Sequence, residues 1–323
     1  YRAGHNLSTG RNNSILGIDA GFFFTTGDYN TFIGSEAGRG SSGASTGNQN
    51  TAVGYASGYS ITTGTNNSYV GLWSGFTTST GSNNVAMGAY ASRYNTTASN
   101  NVAIGNTSLH QTTTGGGSVA VGSGALYAVT TVGALTAVGF GALAANTSGT
   151  GNVAVGYQAG TLLTTGGGNT LMGNDAGNSL TSGTTSVAVG SGALHTATTA
   201  TGNTAIGYQA LDVATGSSNT AVGRDAGGNI AAGVSNTIIG ASSVTANSGH
   251  SNTIVIGAAS TGKGANTGFI NPNSGGVFQG NNSASWAQTS DRRIKKNIED
   301  NNTGLDAINK IQVRNFEYRT EDE

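Results

Sequence analysis

Between residues 13 and 262, an aliphatic residue and then a glycine recur at a nearly fixed interval. The glycine falls at Gly17, Gly34, Gly54, Gly71, Gly88, Gly105, Gly122, Gly139, Gly156, Gly173, Gly190, Gly207, Gly223, Gly240 and Gly257. Of the 14 intervals, 12 are 17 residues, one is 20 and one is 16. The residue before the glycine is always Leu, Ile, Val or Met, and the residue three before it is always Thr, Ser, Val or Ile. An alternating, largely β-branched pair of this kind predicts a strand with one buried face. Three residues after the glycine the chain is always Ala or Ser, which implies close backbone approach. Four before it, 11 of the 15 copies carry Asn, a residue that can ladder from one copy to the next. Eight after it stand 10 Thr and three Ser, usually in a T-T-G or T-S-G turn.

A unit of about 17 residues has no core of its own and must stack on its neighbours. One or two strands of about five residues per unit, joined by Gly-rich turns, predict a parallel β-solenoid of about 15 coils. At about 4.8 Å per coil, the stack is about 67 Å long. Each coil buries one Val- or Ile-sized residue and some alanines, worth little at about 25 cal/mol per Å². The backbone entropy of ordering the coil, about 1–2 kcal/mol per residue, exceeds that gain. Side-by-side association of several chains is therefore expected, and a trimer is favoured.

Composition narrows the class. The chain of 323 residues has 55 Gly but a single proline, Pro272, which excludes a collagen helix. Charged residues are 8% of the total and the net charge is −1, so neither nucleic acid nor an anionic membrane has an electrostatic claim on it. No run reaches the roughly 18 apolar residues of a membrane helix. With no cysteine there is no disulfide, thiolate metal site or cysteine nucleophile. The chain opens at Tyr1 without a signal-peptide pattern, as a fragment or processed product would. No cofactor and no metal site is expected.

Charge divides the chain. Residues 1–289 hold 12 of the 27 charged side chains and residues 290–323 the other 15. Three segments follow: a repeat shaft over 1–262, a Gly/Asn/Ser-rich neck over 263–289, and a charged tail over 290–323. The tail opens on Ser290-Asp291-Arg292-Arg293-Ile294-Lys295-Lys296. Thr303 and Asp306 then form a capping-box-like helix start, with Leu305, Ile308 and Ile311 on one face. Val313–Tyr318 reads as a strand. A serine hydroxyl is a weak nucleophile that needs a base, and a desolvated lysine can serve. Asp291 and Arg293 would position this strand or pair with each other. A run of mixed charge is otherwise simply a solvated face.

Two resemblances bear on these segments. The pattern in Asn50-Thr51-Ala52-Val53-Gly54 and Asn101-Val102-Ala103-Ile104-Gly105 resembles the head repeats of trimeric autotransporter adhesins and similar repeats of phage tail fibres. It implies a trimeric, left-handed parallel β-roll, with a longer T-T-G excursion than the shorter family repeat. The tail resembles the start of the self-cleaving intramolecular chaperone domain of phage tailspikes and tail fibres, including endosialidases. That resemblance implies trimerisation, with Ser290 as nucleophile, Lys295 as its base, Asp291 and Arg293 in support, and cleavage between Thr289 and Ser290. The chain ends at Glu323, so only a truncated, short α+β start of that domain is expected.

Other residues carry two readings each. Asp19, Glu36, Asp175 and Asp225 share a column two after the repeat glycine, and are exposed turn carboxylates or a cation row. His5, His110, His195 and His250 share no column, which argues against a metal row. Thirteen of the 22 aromatics fall in residues 1–94, and either fill a subunit interface or wider rod base, or form a contact patch for glycan or protein. The resulting expectation is a homotrimeric shaft of a viral tail fibre or spike in the virion tail, presenting recognition of a host-surface glycan or protein. A bacterial surface adhesin is the alternative, and an ice-binding solenoid, prompted by the threonine column, a remote one. No turnover enzyme is expected, only single-turnover autoproteolysis. Neither a nucleic-acid partner nor membrane insertion is expected.

Overall fold

The computed structural model describes residues 1–43, 45–272, 275–280 and 286–288. All lie in the first of two compact units into which the chain divides, Tyr1–Gln288 and Thr289–Glu323. The helix and strand expected in the tail fall outside the described residues, as do Ser290, Asp291, Arg293 and Lys295.

The unit is an all-β solenoid. Three-residue strands run from β1 (Ser14–Leu16) through β4 (Ser68–Val70), β6 (Val102–Ile104), β7 (Val119–Val121) and β8 (Thr136–Val138) to β15 (Ile254–Ile256), one per repeat. A sixteenth, β16 (Gly268–Ile270), extends the ladder into the segment assigned to the neck. Each strand pairs in parallel with the next one in sequence, always in register: Ala120 lies beside Ala137, and Val121 beside Val138. The last parallel pair is β15 with β16. β17 (Val277–Gln279) and β18 (Trp286–Gln288) then turn back antiparallel.

Two expectations about the strand are corrected. Strands are three residues long, not about five, because glycine ends each at a backbone angle closed to other residues. Gly122, for example, has φ +136, and a Cβ on it would overlap the carbonyl of Gly139 in the next rung. The flanking β-branched pair is also not the buried face. In a strand of three, the middle residue points one way and its neighbours the other. It is the middle one, mostly Ala (Ala52, Ala86, Ala103, Ala120), that is fully buried. The coil is too narrow for a wider side chain at every level, so valines and isoleucines face outward.

The core is filled by reciprocal columns. Where the inward strand residue is alanine, as Ala103, Ala120 or Ala137, the column four after the repeat glycine often supplies a buried leucine: Leu109, Leu126 and Leu143. Where the strand residue is Phe32, Tyr69 or Leu171, that column is glycine (Gly38, Gly75, Gly177), because the space is taken. A Cβ on Gly75 would lie 2.7 Å from the ring of Tyr69, and one on Gly177 would lie 2.8 Å from Leu171. Elsewhere, as in the coils of Ile61, Leu163 and Ile230, the volume comes from seven after the glycine.

Polar ladders satisfy the buried backbone between coils. Asn67 donates its backbone N–H to the Asn50 side-chain oxygen at 3.1 Å and its amide nitrogen to the carbonyl of Gly81 at 2.9 Å. Asn84 repeats this with Asn67 and Ala98. Threonines do the same outside: Thr96 Oγ1 donates to Thr113 O at 3.0 Å, and Thr164 Oγ1 to Thr181 O at 3.0 Å.

Candidate functional site

The outward strand face is the first feature that the fold leaves unfinished. The residue before the repeat glycine stacks on its counterpart in every coil. Leu16 is 69% exposed and Met87 44%, and Ile33, Val70, Ile104, Met172, Ile206 and Ile239 are also exposed. The neighbouring column two residues earlier is Val, Thr, Ser or Ile throughout. No charged residue interrupts either column.

The second feature lies along a different edge, formed by the positions one, two, five and six after the repeat glycine. Five after it stand Phe22, Arg39, Tyr59, Phe76, Arg93, His110 and Tyr127 in successive coils. Their rings form a stack. Tyr59 and Phe76 have centroids 4.9 Å apart, Trp73 and Phe76 5.5 Å, Trp73 and Tyr90 5.6 Å, and His110 and Tyr127 5.1 Å. The Arg93 guanidinium sits among four rings: 4.2 Å from Trp73, 5.0 Å from Tyr94, 5.4 Å from Tyr90 and 6.0 Å from Phe76. Arg39 lies 5.0 Å from Phe23 and 5.2 Å from Tyr59, and donates to the Tyr59 hydroxyl at 2.5 Å.

Ion pairing goes elsewhere. Among the described residues, salt bridges join Arg2 to Asp19, Arg224 to Asp225 and His195 to Asp212. Asp19 accepts from Arg2 Nε at 3.0 Å and Nη2 at 2.9 Å, and so acts as a turn carboxylate with a cation of its own chain. Among the described residues no group of three or more His, Cys, Asp or Glu is placed to hold a metal. His195 and Asp212 lie 3.5 Å apart, and His195 also borders an open notch of about 140 Å³ with Asn174, Asp175, Ser191 and Tyr208. No described helix is long and apolar enough to cross a membrane.

Two titrations follow from the packing. Burial, with help from the Arg93 charge, lowers the His110 pKa, although the ring also meets the Tyr90 carbonyl at 3.1 Å. Burial pushes the Tyr69 hydroxyl well above the usual phenol range.

The tail chemistry expected from sequence meets an independent comparison. Residues 290–323 match the family described as chaperone of endosialidase. The match begins on Ser290 and covers only the tail, leaving the solenoid outside it. No curated protein and no solved structure matches the chain. The two ladders were half legible in sequence. The excess of aromatics was visible, but the stack around Arg93 required knowing that consecutive coils bring position five of one next to position two of another.

Proposed function

We propose that residues 1–288 are the shaft of a homotrimeric viral tail fibre or spike, and that the charged tail is the assembly chaperone that cuts itself off. One observation carries the reading: an uninterrupted apolar ladder on the outer face of the strands. Fifteen strands at about 4.8 Å and about 10 Å wide make a strip of roughly 670 Å². It joins a wholly aliphatic column to an uncharged Val/Thr/Ser/Ile column, and a stable interface buries about 800 Å² per partner. Three copies packed on this face would cover it, and each would supply the apolar burial its own narrow coil lacks. The family match of the tail supports the same assembly, in agreement with the trimerisation its resemblance implies.

In the tail, the Ser290 hydroxyl attacks the carbonyl carbon of Thr289 while Lys295 takes its proton. The Thr289–Ser290 C–N bond breaks as the acyl–oxygen bond forms, Lys295 returns the proton to the departing Ser290 nitrogen, which leaves as a free amine, and water hydrolyses the resulting ester to the Thr289 carboxylate and the Ser290 hydroxyl. Asp291 and Arg293 support the pair, by positioning its strand or by pairing with each other. The virion tail is the setting, with host-surface recognition on exposed side chains. A bacterial adhesin could use the same solenoid, but the tail's family match favours the fibre. The threonine hydroxyls, already donating to neighbouring carbonyls, speak against an ice-binding face.

The test is Ile104→Asp combined with Val121→Asp, followed by sedimentation. Both lie on the outer face, so the coil itself should survive, with unchanged circular dichroism. Dissociation into monomers is expected. A variant that stays trimeric refutes the interface.

A further inference from the structure

We propose that the aromatic–arginine ladder between Tyr55 and Tyr127 binds an acidic polysaccharide running along the stack of coils. This deepens the host-recognition reading above and rests on it. The first ground is charge. Arg93 is the only Asp, Glu, Lys or Arg between Arg39 and Asp175. No carboxylate among the described residues pairs with it, and its Nε has no hydrogen-bond partner. A guanidinium partly stripped of water by four rings and given no internal anion gains most from an external one.

The second ground is the ring array. Tyr55, Tyr94 and Tyr127 are exposed at 48, 41 and 37%. Trp73, Phe76 and Tyr90 are half-buried beside them. The electron-rich faces of such rings accept the apolar C–H face of a pyranose, while tyrosine hydroxyls meet its rim. Successive coils offer a ring about every 4.8 Å, which suits a chain of sugars better than a single one. The third ground is that the fold does not need these aromatics. In the coils that follow, the same column is filled by Ala144, Thr161 and Asn178, and the solenoid continues unchanged. A second copy of this chain is a poorer occupant, because it would bury Arg93 without an anion and the strand face already offers an apolar surface.

The experiment uses the full chain carrying Trp286→Phe, which leaves Trp73 as its only tryptophan. Dextran sulfate, polygalacturonate and neutral dextran are titrated while Trp73 fluorescence is followed, and the oligomeric mass is measured on the same samples. At least one acidic polymer should change the emission, less so in high salt, and neutral dextran should not. Dextran sulfate alone would assign a sulfate ligand, polygalacturonate alone a carboxylate, and both an anion in general. Arg93→Gln should weaken binding about 10- to 100-fold, Tyr94→Ala should weaken it too, and Arg224→Gln should leave it unchanged. The proposal is overturned if no acidic polymer binds, if neutral dextran binds equally well, if Arg93→Gln binds as tightly as its parent, or if Arg93→Gln dissociates the oligomer. An intact trimer that binds nothing refutes this site and spares the shaft. A monomer that binds as described refutes the shaft and spares this site.

Discussion

Exchanging two buried side chains within one coil tests the reciprocal packing directly. Ala120 and Leu126 are both fully buried, and Leu126 is held at φ +51, a conformation that disfavours leucine. Another coil places Leu171 and Gly177 in the same two columns. Leu126→Gly alone removes a buried isobutyl group. The cavity costs about 2–5 kcal/mol, and the relief of about 1 kcal/mol in left-handed strain roughly offsets the extra glycine entropy. Ala120→Leu alone overpacks the coil by about 1–3 kcal/mol. The double variant rebuilds the Leu171–Gly177 arrangement and, as a volume-conserving exchange, should cost less than about 1.5 kcal/mol. A coupling of at least about 1.5 kcal/mol follows, well beyond the roughly 0.3–0.5 kcal/mol scatter of independent sites. Because a stack of repeats opens locally, hydrogen exchange of peptides spanning residues 119–138 is the appropriate assay. If protection in the double variant falls by the sum of the two single losses, the columns do not share one volume and the packing rule is wrong.

Three further outcomes are expected. Gly122→Ala meets both a positive φ and the Gly139 carbonyl and should cost about 2–4 kcal/mol, whereas Gly43→Ala, with open space around it, should stay within about 0.5 kcal/mol in thermal unfolding. His110 is held neutral by burial and by Arg93, so the unfolded chain binds its proton more readily; its contribution to stability is complete above about pH 6.5 and is lost as pH falls toward the lower folded value. Melting temperatures between pH 7 and 5 should therefore fall more steeply in the parent than in His110→Gln, and equal slopes would remove His110 as the cause. Ser290→Ala should give one intact mass with no product ending at Thr289, and a cut chain in that variant would exclude Ser290 as the nucleophile.

The sequence was most legible where one column acts alone. The repeat glycine, the small residue three after it and the asparagine four before it each answer to a local constraint: a special φ, a close approach, a backbone group to satisfy. The in-register ladder of Val121 on Val138 follows from the period itself. The facing of the strand was misread because the valine–threonine pair carries the hydrophobic signal, while the residue that enters the core is alanine. Alanine is weak evidence for burial until the width of the coil is known. The exchange of leucine for glycine between columns was hidden because neither column is constant by itself. It becomes visible only when Tyr69 is set beside Gly75 and Ala120 beside Leu126. Arg93 is conspicuous in sequence as a lone charge, but its four rings come from two successive coils.

Native mass spectrometry of the untreated protein bears most directly on the central proposal, that the apolar strand face is a subunit interface. The assembled particle should weigh three times the polypeptide found in the same sample under denaturing conditions, whether or not the tail has been cut away. A particle equal in mass to one polypeptide would leave that face bare to water and contradict the account.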